Sequence, residues 1–312
     1  MLLSLAPLQG FTDAPFRRAY QKHFRGIDSY YAPYIALRND GTIKASQWRD
    51  ILPEGPGSQL IPQLLIANAQ EALTLVEKMR TLACYSEINL NLGCPYPMVT
   101  NKGRGSGLLP HPERVEEILK VLLSTFGKEI DFSVKMRCGL ADKNEARAIV
   151  QVLNRIPIKE LIVHPRTAKQ LYKGQVDYAC FSELYNTLDH PLIFNGDITS
   201  LEDYQRLTER FPQLKGVMIG RGILQRPYLA EEVRLSKVFS LSEKRDDLRH
   251  FVQDLLENNR QYLSGEGHLL SKMKSYLPYF AHFNPEGKKA IKKMKKCKGM
   301  RAFEEGLRDL LG

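Results

Sequence analysis

The sequence predicts a (β/α)8 barrel of the TIM type, followed by a small helical domain at the C-terminus. Short runs rich in apolar and β-branched residues recur along the chain, and most are followed by a segment with helical periodicity. Eight such units occupy about 235 residues, and alternating strands and helices favour parallel strands joined by right-handed crossovers. From about Ser240 the strand patterns stop and helical patterns continue.

The predicted strands are short and follow one another at the spacing of a barrel. In chain order they are Leu3–Leu8, Ser29–Leu37, Leu60–Ile66, Glu87–Gly93, Asp131–Arg137, Glu160–Arg166, Pro191–Asp197 and Gly216–Gly222. Helical patterns follow all but the second, namely APFRRAYQKH, NAQEALTLVEKM, PERVEEILKVLLSTF, NEARAIVQVLNRI, YACFSELYNTL, SLEDYQRLTERF and PYLAEEVRLS. A doubly wound open sheet is the alternative architecture, and the lack of a G-x-G-x-x-G motif after the first strand disfavours it.

The last part of the chain is predicted to form a separate domain. Residues 1–238 would form the barrel, and residues 239–312 would form the helical domain. Four helical stretches with glycine between them support this division, EKRDDLRHFVQDLLENNRQYL, HLLSKMKSYLPYFAHF, GKKAIKKMKKCK and MRAFEEGLRDLL.

One segment of the predicted helical domain is strongly basic. Between Gly265 and Met300 there are nine lysines and no arginine against two glutamates. A solvated lysine-rich face is one interpretation of this segment. A nucleic-acid surface is the favoured interpretation, because lysines neutralise phosphates without reading sequence and three aromatic residues are interleaved with them, Tyr276, Tyr279 and Phe280.

The composition limits the class of protein. The chain has 312 residues and a formal net charge of +10, which favours an anionic partner, with nucleic acid ahead of a membrane surface. No apolar run approaches the roughly 18 residues of a membrane span, and the N-terminus lacks the basic region of a secretory signal. Five scattered cysteines without zinc-ligand or redox-motif spacing predict a cytoplasmic protein without a metal site, and we expect a monomer.

Polar or unusual residues lie at seven of the eight predicted strand ends. Because active sites of (β/α)8 barrels form at the C-terminal ends of the strands, this recurrence predicts a single pocket. The residues are Gln9, Gln63, Asn91, Cys94, Lys135, Arg137, His164, Arg166, Asn195, Asp197, Gly220 and Arg221. The last two strand endings, NGD and IGRG, offer glycine-exposed amides and a cation, which suits a phosphate group.

A single cysteine, Cys94, stands between a glycine and a proline at the end of the fourth predicted strand, and the basic loop NKGRGSG follows it. A lone cysteine is more often a small apolar packing residue than a catalyst, but the strand-end position favours a thiol presented to the pocket. The loop lacks the G-K-[ST] ending of a P-loop, which argues against nucleotide hydrolysis. The remaining cysteines are predicted to be structural, Cys84, Cys138, Cys180 and Cys297.

In combination these motifs resemble the tRNA-dihydrouridine synthase family. The matching segments run in order from about Ala6 to Gly222 and are APLQGFTDAPFR, PQLL, NLGCPYPMVTNKGRGSGLL, SVKMRCG, VHPRT, FNGDI and VMIGRG, with a weaker match in SKMKSYLPYF. The resemblance implies a flavoprotein with an FMN-binding barrel, NADPH or NADH as the reductant, and a helical domain that binds tRNA. The implied reaction is reduction of the C5=C6 bond of a uridine in tRNA.

The resemblance also implies roles for individual residues. Cys94 would be the general acid that gives a proton to C5 of the uridine. FMN would be held by Pro7, Leu8, Gln9, Gln63, Lys135, His164, Asn195, Gly196, Asp197, Gly220 and Arg221. The tRNA would be contacted by Asn91, Lys102, Arg104, Arg166, Lys272 and Lys274.

The chain departs from the family pattern at three positions. Leu8 stands where many members have methionine, a swap of similar volume that a pocket tolerates. Ile66 stands where many members have glycine after the QLL run, and this change is expected to move the backbone or narrow the pocket. Pro165, directly after His164, is a further local difference.

Two other functions are compatible with parts of the sequence. A small-molecule FMN oxidoreductase, of the dihydroorotate or dihydropyrimidine dehydrogenase kind, would share the barrel and the flavin site but would not need the basic helical domain. A non-catalytic RNA-binding protein with a retained barrel would keep the basic domain but would not bind flavin.

Overall fold

The computed structural model describes residues 1–53 and 59–312 of the chain. Strands alternate with helices through most of the barrel sequence, as the periodicity predicts. Within the described residues the strands are β1 (Leu2–Leu5), β2 (Ser29–Tyr31), β3 (Leu60–Ile61), β4 (Gln63–Leu64), β5 (Glu87–Leu92), β6 (Asp131–Gly139), β7 (Leu161–Thr167), β8 (Leu192–Asn195) and β9 (Gly216–Ile219).

The strands form one parallel sheet that closes almost completely on itself. Their order in the sheet is β3-β2-β1-β9-β8-β7-β6-β5-β4. The two edge strands, β3 and β4, are consecutive in the chain and are separated by Pro62, so the edges of the sheet meet. This arrangement confirms the predicted TIM barrel. The prediction of one strand over Leu60–Ile66 is corrected to two short strands, because proline has no N–H for the ladder.

The helices that follow the strands are mostly those expected from the sequence. In chain order the helices of the described residues are α1 (Ala14–His23), α2 (Ala45–Ile51), α3 (Ala69–Arg80), α4 (Pro97–Thr100), α5 (Pro112–Phe126), α6 (Asn144–Leu153), α7 (Tyr178–Thr187), α8 (Leu201–Arg210), α9 (Arg221–Gln225), α10 (Leu229–Leu235), α11 (Leu241–Arg260), α12 (Glu266–Ser275), α13 (Leu277–Phe280), α14 (Lys288–Lys296) and α15 (Met300–Leu311).

The second predicted strand is the largest local difference between sequence and structure. Only Ser29–Tyr31 of the predicted Ser29–Leu37 is a strand, and Ile35 forms an isolated bridge with Leu64. The helix α2, which the sequence analysis did not predict, follows this region. Its N-cap residue is Lys44, whose side chain makes no capping hydrogen bond. The sequence therefore lacks the capping residue that would predict the start of this helix.

Contacts between residues divide the chain into two compact units. The first unit comprises Met1–Gln9, Asp28–Gly196 and Pro212–Met218, and it contains nearly all of the barrel strands. The second unit comprises Gly10–Ile27, Asp197–Phe211 and Ile219–Gly312. It therefore joins the C-terminal helices α11–α15 with the earlier helices α1 and α8–α10.

In the first unit, the strand β5 is buried on both faces. Apolar residues alternate along it with the polar residues Glu87, Asn89 and Asn91. The side chains of these three polar residues form hydrogen bonds with Gln63 of β4 and Ser133 of β6, on the two neighbouring strands. Side chains of a strand alternate between its two faces, so these three polar groups share one face. An apolar cluster of the same unit contains Ala6, Tyr31, Ile162, Ile193 and Met218.

The second unit is built around aromatic rings. Phe16 of α1 stacks on Tyr276 with ring centroids 6.2 Å apart and meets Phe251 edge to face at 5.6 Å. Phe251 also packs against Phe24, and Tyr276 stacks on Phe280 at 5.7 Å. These contacts bury the apolar faces of α1, α11 and the α12–α13 region against one another.

Two further findings concern the described residues as a whole. None of their helices is long and apolar enough to cross a membrane. Histidine, cysteine, aspartate and glutamate side chains do not come together among them in a group that would hold a metal ion.

Candidate active site

Cys94 lies in the turn that follows β5, with 8% of its surface exposed. The N–H groups of Gly93 and Cys94 donate to Oδ1 of Asn91, at 3.0 and 2.8 Å. The Cys94 carbonyl accepts from the Ser106 hydroxyl at 2.8 Å and from the Ser106 N–H at 3.1 Å. The strand and the glycine-rich loop therefore both hold the backbone that carries the thiol.

The glycines of this loop are needed for close packing. Gly105 has a φ of +59°, in the left-handed region that glycine enters without strain. A Cβ atom on Gly105 would lie 2.8 Å from the Cys94 carbonyl oxygen and 2.9 Å from the Cys94 Cβ. Gly105 thus allows the loop to lie directly against Cys94, and a side chain here would displace one of the two.

The Cys94 thiol is protonated near neutral pH. Burial raises its pKa, and a backbone hydrogen bond at Tyr96 and the positive charges of Arg137 and Lys135 oppose that rise only in part. The side chain packs against Leu65 and Val99. A buried, protonated thiol is suited to donate a proton and unsuited to act as a nucleophile.

A series of amide and hydroxyl groups supports Asn91 from inside the barrel. Asn91 Nδ2 donates to Gln63 Oε1 at 2.6 Å, and Gln63 Nε2 donates to Asn89 Oδ1 at 2.8 Å. Asn89 Nδ2 donates to Ser133 Oγ at 2.9 Å, and the Ser133 hydroxyl donates to Glu87 Oε1 at 2.6 Å. The amide of Gln63, predicted to contact the flavin, is thus bonded to its barrel neighbours and is 1% exposed.

Two cations project from β6 at the same end of the barrel. Lys135 is paired in register with Asn91 of β5, and Arg137 with His164 of β7. Burial, together with the positive charge of Arg137, lowers the pKa of Lys135 to about 7. Burial likewise lowers the pKa of Arg137, although its guanidinium remains charged.

Arg137 fixes the turn that carries Cys94. Its Nε donates to the Gly93 carbonyl at 2.9 Å, and its Nη1 donates to the carbonyls of Thr167 and Leu171 at 3.0 and 2.7 Å. The guanidinium carbon also lies 5.4 Å from the centre of the Tyr172 ring. These contacts tie the end of β5 to the segment after β7.

His164 is neutral and has a defined tautomer. Its Nδ1 lies 2.7 Å from the Asn195 carbonyl, which accepts only, so Nδ1 carries the hydrogen. Nε2 accepts from Arg166 Nη1 at 3.5 Å. Burial lowers the pKa of His164 well below its usual range, and the charges of Arg137 and Lys135 lower it further.

Arg166 and Asn195 complete this part of the first unit. Arg166 is 2% exposed and donates from Nη2 to the Gly174 carbonyl at 2.5 Å. Asn195 donates from Nδ2 to the Met218 carbonyl at 2.8 Å, which joins β8 to β9. A Cβ atom on the next residue, Gly196, would lie 2.8 Å from the Val176 Cγ1 methyl group, so a side chain there would displace Val176.

The predicted phosphate-binding residues of the second unit form an ion pair. Arg221 Nη2 lies 2.8 Å from Asp197 Oδ1, and about a third of each side chain is exposed. Asp197 has a φ of +46°. Gly220 precedes the first residue of α9, and a Cβ on Gly222 would come within 2.1 Å of the Ile198 carbonyl oxygen.

The residues after β1 are accessible. Pro7 and Leu8 are partly exposed, and Gln9 is exposed. Ile66, which departs from the family pattern, is 1% exposed and lies next to Leu65, which packs on Cys94.

The two basic residues of the loop after Cys94 differ in their surroundings. Lys102 is exposed. Arg104 is largely enclosed, and it donates to Glu71 Oε1 at 2.7 Å and to the Leu37 carbonyl at 3.2 Å. Arg104 is therefore engaged within the unit, and it links the loop to α3.

The two lysines of α12 that were predicted to contact tRNA make contacts within the second unit. Lys272 Nζ pairs with Asp13 at 2.7 Å and donates to the Gly10 carbonyl at 2.7 Å. Lys274 donates to the carbonyls of Lys295 and Cys297, at 3.1 and 2.6 Å, and so caps the C-terminus of α14.

The helix α14 carries six exposed lysines. A cavity of about 270 Å³ is lined by Lys288, Lys292 and Lys295 together with Ala281 and Ile291. The three lysines are exposed and share one helical face, at spacings of four and three residues. On the adjacent face, also exposed, lie Lys289, Lys293 and Lys296.

Sequence reasoning did not assign a role to two residues that shape the site. Arg137 was visible as a polar strand end, but its bond to the Gly93 carbonyl joins residues that are 44 positions apart in the sequence. Glu71 holds Arg104 and also accepts from the Ala67 N–H at 2.9 Å. In the sequence, Glu71 is a carboxylate in the first helical turn after the cap residue Asn68. This pattern predicts only the start of a helix.

Comparisons with known proteins agree on one family. A family model described as dihydrouridine synthase matches residues 4–309. A probable tRNA-dihydrouridine synthase of Helicobacter pylori strain J99 is 34% identical over 239 residues, which is 74% of this chain and 70% of the relative. A tRNA-dihydrouridine synthase B of Pseudomonas putida is 30% identical over 233 residues, which is 74% of this chain and 67% of the relative.

Solved structures share the barrel with this chain at much lower identity. Histamine dehydrogenase from Rhizobium sp. 4-9 superimposes with a TM-score of 0.57 and 9% identity, covering 82% of this chain and 48% of that one. An old yellow enzyme from Trypanosoma cruzi gives a TM-score of 0.53 and 9% identity, covering 76% of this chain and 89% of that one. These likenesses establish the fold.

Proposed function

The chain belongs to the dihydrouridine synthase family, and from this we propose that it is the oxidoreductase that reduces a uridine of tRNA to dihydrouridine. The observation that carries the proposal is a protonated, buried thiol at the end of β5, held in a turn beside the cations of β6. Reduction of the uracil C5=C6 bond requires a hydride and a proton, and Cys94 is the proposed source of the proton.

The groups around β6 and β7 fit an anionic cofactor. Burial and the charge of Arg137 lower the pKa of Lys135, and burial and the charges of both cations lower that of His164, so the two cations repel each other and disfavour a proton on His164 in the protein alone. An anionic or electron-rich ligand would relieve that repulsion. We propose that the ligand is FMN, which supplies the hydride after reduction by NADPH or NADH.

The proposed FMN contacts follow the family resemblance. In the first unit they are Pro7, Leu8, Gln9, Gln63, Lys135, His164, Asn195 and Gly196. Lys135 would face negative charge on the cofactor, and Nε2 of neutral His164 would be available as an acceptor when Arg166 turns to substrate. In the second unit the resemblance assigns the phosphate to Asp197, Gly220 and Arg221.

Cys94 is proposed as the catalytic acid. Its raised pKa keeps the proton on sulfur until a stronger base appears, and addition of a hydride at C6 would create such a base at C5. Asn91 holds the Gly93 and Cys94 amides, so it fixes the direction of the thiol as well as any contact that it makes with the base. Arg137 acts through the same turn and is a positioning residue.

The substrate would enter as an unstacked nucleotide. A uridine inside a folded tRNA cannot reach a buried thiol, so it must leave its stack. Lys102, exposed on the loop after Cys94, is the proposed contact to flanking phosphates, together with Arg104 and Arg166. Because Arg104 is bonded to Glu71, contact with RNA would require exchange of that partner.

A basic surface on the helical part is proposed to bind the tRNA backbone. Lys272 and Lys274 are proposed contacts from the sequence, although their amino groups are bonded to Asp13 and to the end of α14. The exposed lysines of α14 would extend this basic surface, because contacts with phosphates require positive charge that is accessible to the RNA. We further propose that residues 239–312 act as the tRNA-binding domain and that the enzyme is a cytoplasmic monomer.

The decisive test is the effect of the protein on tRNA. Dihydrouridine should be absent at one or more positions of tRNA from a strain lacking the protein, and the wild-type gene should restore it. Purified protein should carry FMN, and its reduced flavin should be oxidised by unmodified tRNA. A full set of dihydrouridines in the deletion strain would reject the proposal.

The alternative, a small-molecule FMN oxidoreductase, makes a different prediction. Its reduced flavin would be oxidised by a free pyrimidine or dihydroorotate-like compound and not by tRNA. It would also bind tRNA weakly, without the steep loss of affinity with salt that phosphate contacts produce. The relatives that match the chain are named for tRNA, so this alternative is not favoured.

A further inference from the structure

The Cys94 side chain is enclosed by three segments of the first unit. Leu65 and Val99 are buried against it, and Tyr34 and Ala36 pack on the same cluster. These residues come from the segment after β2, from the residue after β4 and from the helix α4, which are more than thirty residues apart in the sequence. The enclosure of the thiol therefore depends on contacts that join the three segments.

Glu71, in the first turn of α3, binds two of these segments through its two carboxylate oxygens. Oε2 accepts from the N–H of Ala67, which lies two residues after Leu65, at 2.9 Å. Oε1 accepts from Arg104 Nη2 at 2.7 Å. One carboxylate thus joins the chain after β4 to the glycine-rich loop.

Arg104 extends the connection to the remaining segment. Its Nη1 donates to the Leu37 carbonyl at 3.2 Å, in the segment after β2. Its own N–H donates to the Val99 carbonyl at 3.3 Å, and the hydroxyl of Ser106, two residues further on, donates to the Cys94 carbonyl at 2.8 Å. The guanidinium and the carboxylate together reach every segment that encloses the thiol.

The Glu71–Arg104 pair is shielded from solvent. The side chains of Arg104 and Glu71 are only 14% and 24% exposed, so water and salt screen their attraction less than that of a surface pair. Loss of either partner would leave the other charge largely enclosed without its counter-charge, which is costly. The pair therefore stabilises this arrangement of the loop against local opening.

We propose that Glu71 is a positioning residue for the thiol, which together with Arg104 holds the three segments closed around Cys94. The inference rests on the proposed role of Cys94 as the proton donor. Glu71 acts through Arg104 and the Ala67 amide and not on the substrate itself. Because burial raises the pKa of the Cys94 thiol, closed walls also keep the proton on sulfur until the base is in place.

The first measurement needs no tRNA. Purified wild type and Glu71→Gln are treated with iodoacetamide, and alkylation of Cys94 is compared with that of the exposed Cys84, which lies in the same tryptic peptide, residues 81–102. Reaction at a buried thiol passes through local opening, so loss of the charged hydrogen bond should raise the ratio of Cys94 to Cys84 labelling about tenfold. An unchanged ratio would overturn the proposal.

The second measurement separates positioning from contact with RNA. In Glu71→Gln and in Arg104→Met, oxidation of the reduced flavin by saturating unmodified tRNA should slow about tenfold, and Glu71→Gln should leave the affinity for tRNA unchanged. Because both substitutions break the same contact, the double variant should be no slower than Arg104→Met. A normal rate with tighter tRNA binding in Glu71→Gln would mean that the carboxylate only withholds Arg104 from phosphates, which would contradict a positioning role.

The two measurements also distinguish this proposal from the proposed function. A wild type that does not reduce tRNA would reject the proposed function, and the alkylation ratio would still decide whether Glu71 holds the thiol in place.

Two matched variants serve as controls. Glu129→Gln removes an exposed ion pair with Arg80, the last residue of α3, and should leave both measurements at their wild-type values. Asn68→Ala removes the side chain that accepts from the Glu71 N–H at the start of α3. It weakens the helix start without removing the carboxylate that binds Arg104, so its effect should be smaller. An effect equal to that of Glu71→Gln would mean that Glu71 acts only through the helix, and the proposal would be wrong.

Discussion

Positive charge serves different purposes in the barrel and in the helical part of this protein. In the barrel, burial and the charge of Arg137 lower the pKa of Lys135, and burial and the charges of Arg137 and Lys135 lower the pKa of His164, which is neutral. In the helical part, Lys272 is matched by Asp13, and the lysines of α14 are exposed to solvent. The few cations of the barrel thus change the pKa values of neighbouring groups, whereas the many exposed lysines of the helical part create a positive electrostatic potential at the surface.

This difference shows which features of charged residues can be predicted from the sequence. The nine lysines between Gly265 and Met300 are obvious in the composition, yet two of them, Lys272 and Lys274, are bonded inside the fold. In the barrel, Lys135 and Arg137 are two residues apart on one strand and are visible together in the sequence. His164 joins them only because β6 and β7 are neighbours in the sheet.

The strongest test of the enclosed region is removal of its acid. Cys94→Ala should bind FMN and oxidise NADPH, but oxidation of its reduced flavin by tRNA should slow by about 10²–10⁴, the usual loss for a positioned general acid. Stopped-flow absorbance of the flavin measures this rate. Cys84→Ala is the matched control and should behave as wild type, and a near-normal rate in Cys94→Ala would return Cys94 to a packing role.

A second test asks whether an enclosed cation acts by position or only by charge. Arg137→Met removes the bond to the Gly93 carbonyl and should slow the same tRNA-dependent step by about 10- to 100-fold, as expected for loss of a charged hydrogen bond. The pH dependence of Cys94 alkylation should change in parallel. Arg137→Lys keeps the charge without the fork of donors, so a positioning role predicts that this variant is also slow, and near-normal activity of Arg137→Lys would contradict that role.

The exposed region is tested by reversing charge on α14. Lys292→Glu with Lys295→Glu should weaken tRNA binding by about tenfold at low salt and flatten its salt dependence, because phosphate contacts are lost. Lys289→Glu with Lys296→Glu on the adjacent face has the same change in charge and should have a smaller effect. Filter binding at several salt concentrations distinguishes them, and equal effects would mean that net charge alone matters.

The smallest expected effect is a change in the pH dependence of stability. The folded-state pKa of Lys135 is lowered from 10.5 to about 7, so the unfolded chain binds more protons above pH 7 and stability rises with pH in that range. Relative to Lys135→Met, flavin-free wild type should gain about 1 kcal/mol in free energy of unfolding between pH 6 and pH 8. Urea titration at the two pH values measures this gain, and parallel curves would mean that Lys135 is well solvated.

Much of the fold follows from local signals. Asp13 accepts from the Phe16 N–H at 3.3 Å and Pro15 lies in the first turn, and these start signals place α1 at the residues that its periodicity predicts. The long helix α5 begins at Pro112 as expected. In contrast, α2 lacks a side-chain capping bond, and Pro62 divides the predicted strand Leu60–Ile66 into β3 and β4, so periodicity alone predicted that region wrongly.

The candidate site was predictable in its residue types and less so in its bonds. Strand ends gather at one rim of a barrel, so Cys94, Lys135 and His164 could be grouped from their positions in the pattern. The partners of Arg104 and Lys272 could not, because Glu71 and Asp13 are far from them in the sequence and pairing depends on how the chain folds. Ion pairs between residues that are far apart in the sequence produce no periodic pattern from which they could be predicted.

The hydrogen-bonded series inside the barrel has only one possible direction. Backbone N–H groups at Cys94 can only donate, and the carboxylate of Glu87 can only accept, so every amide between them has a single allowed orientation. Burial and the neighbouring Glu160 raise the pKa of Glu87, and Lys159, 2.9 Å away, opposes that rise. The hydrogen bonds of this series therefore all run in the same direction, from the turn at Cys94 to Glu87. An isosteric Asn89→Asp exchange would interrupt the series without changing the volume of the side chain.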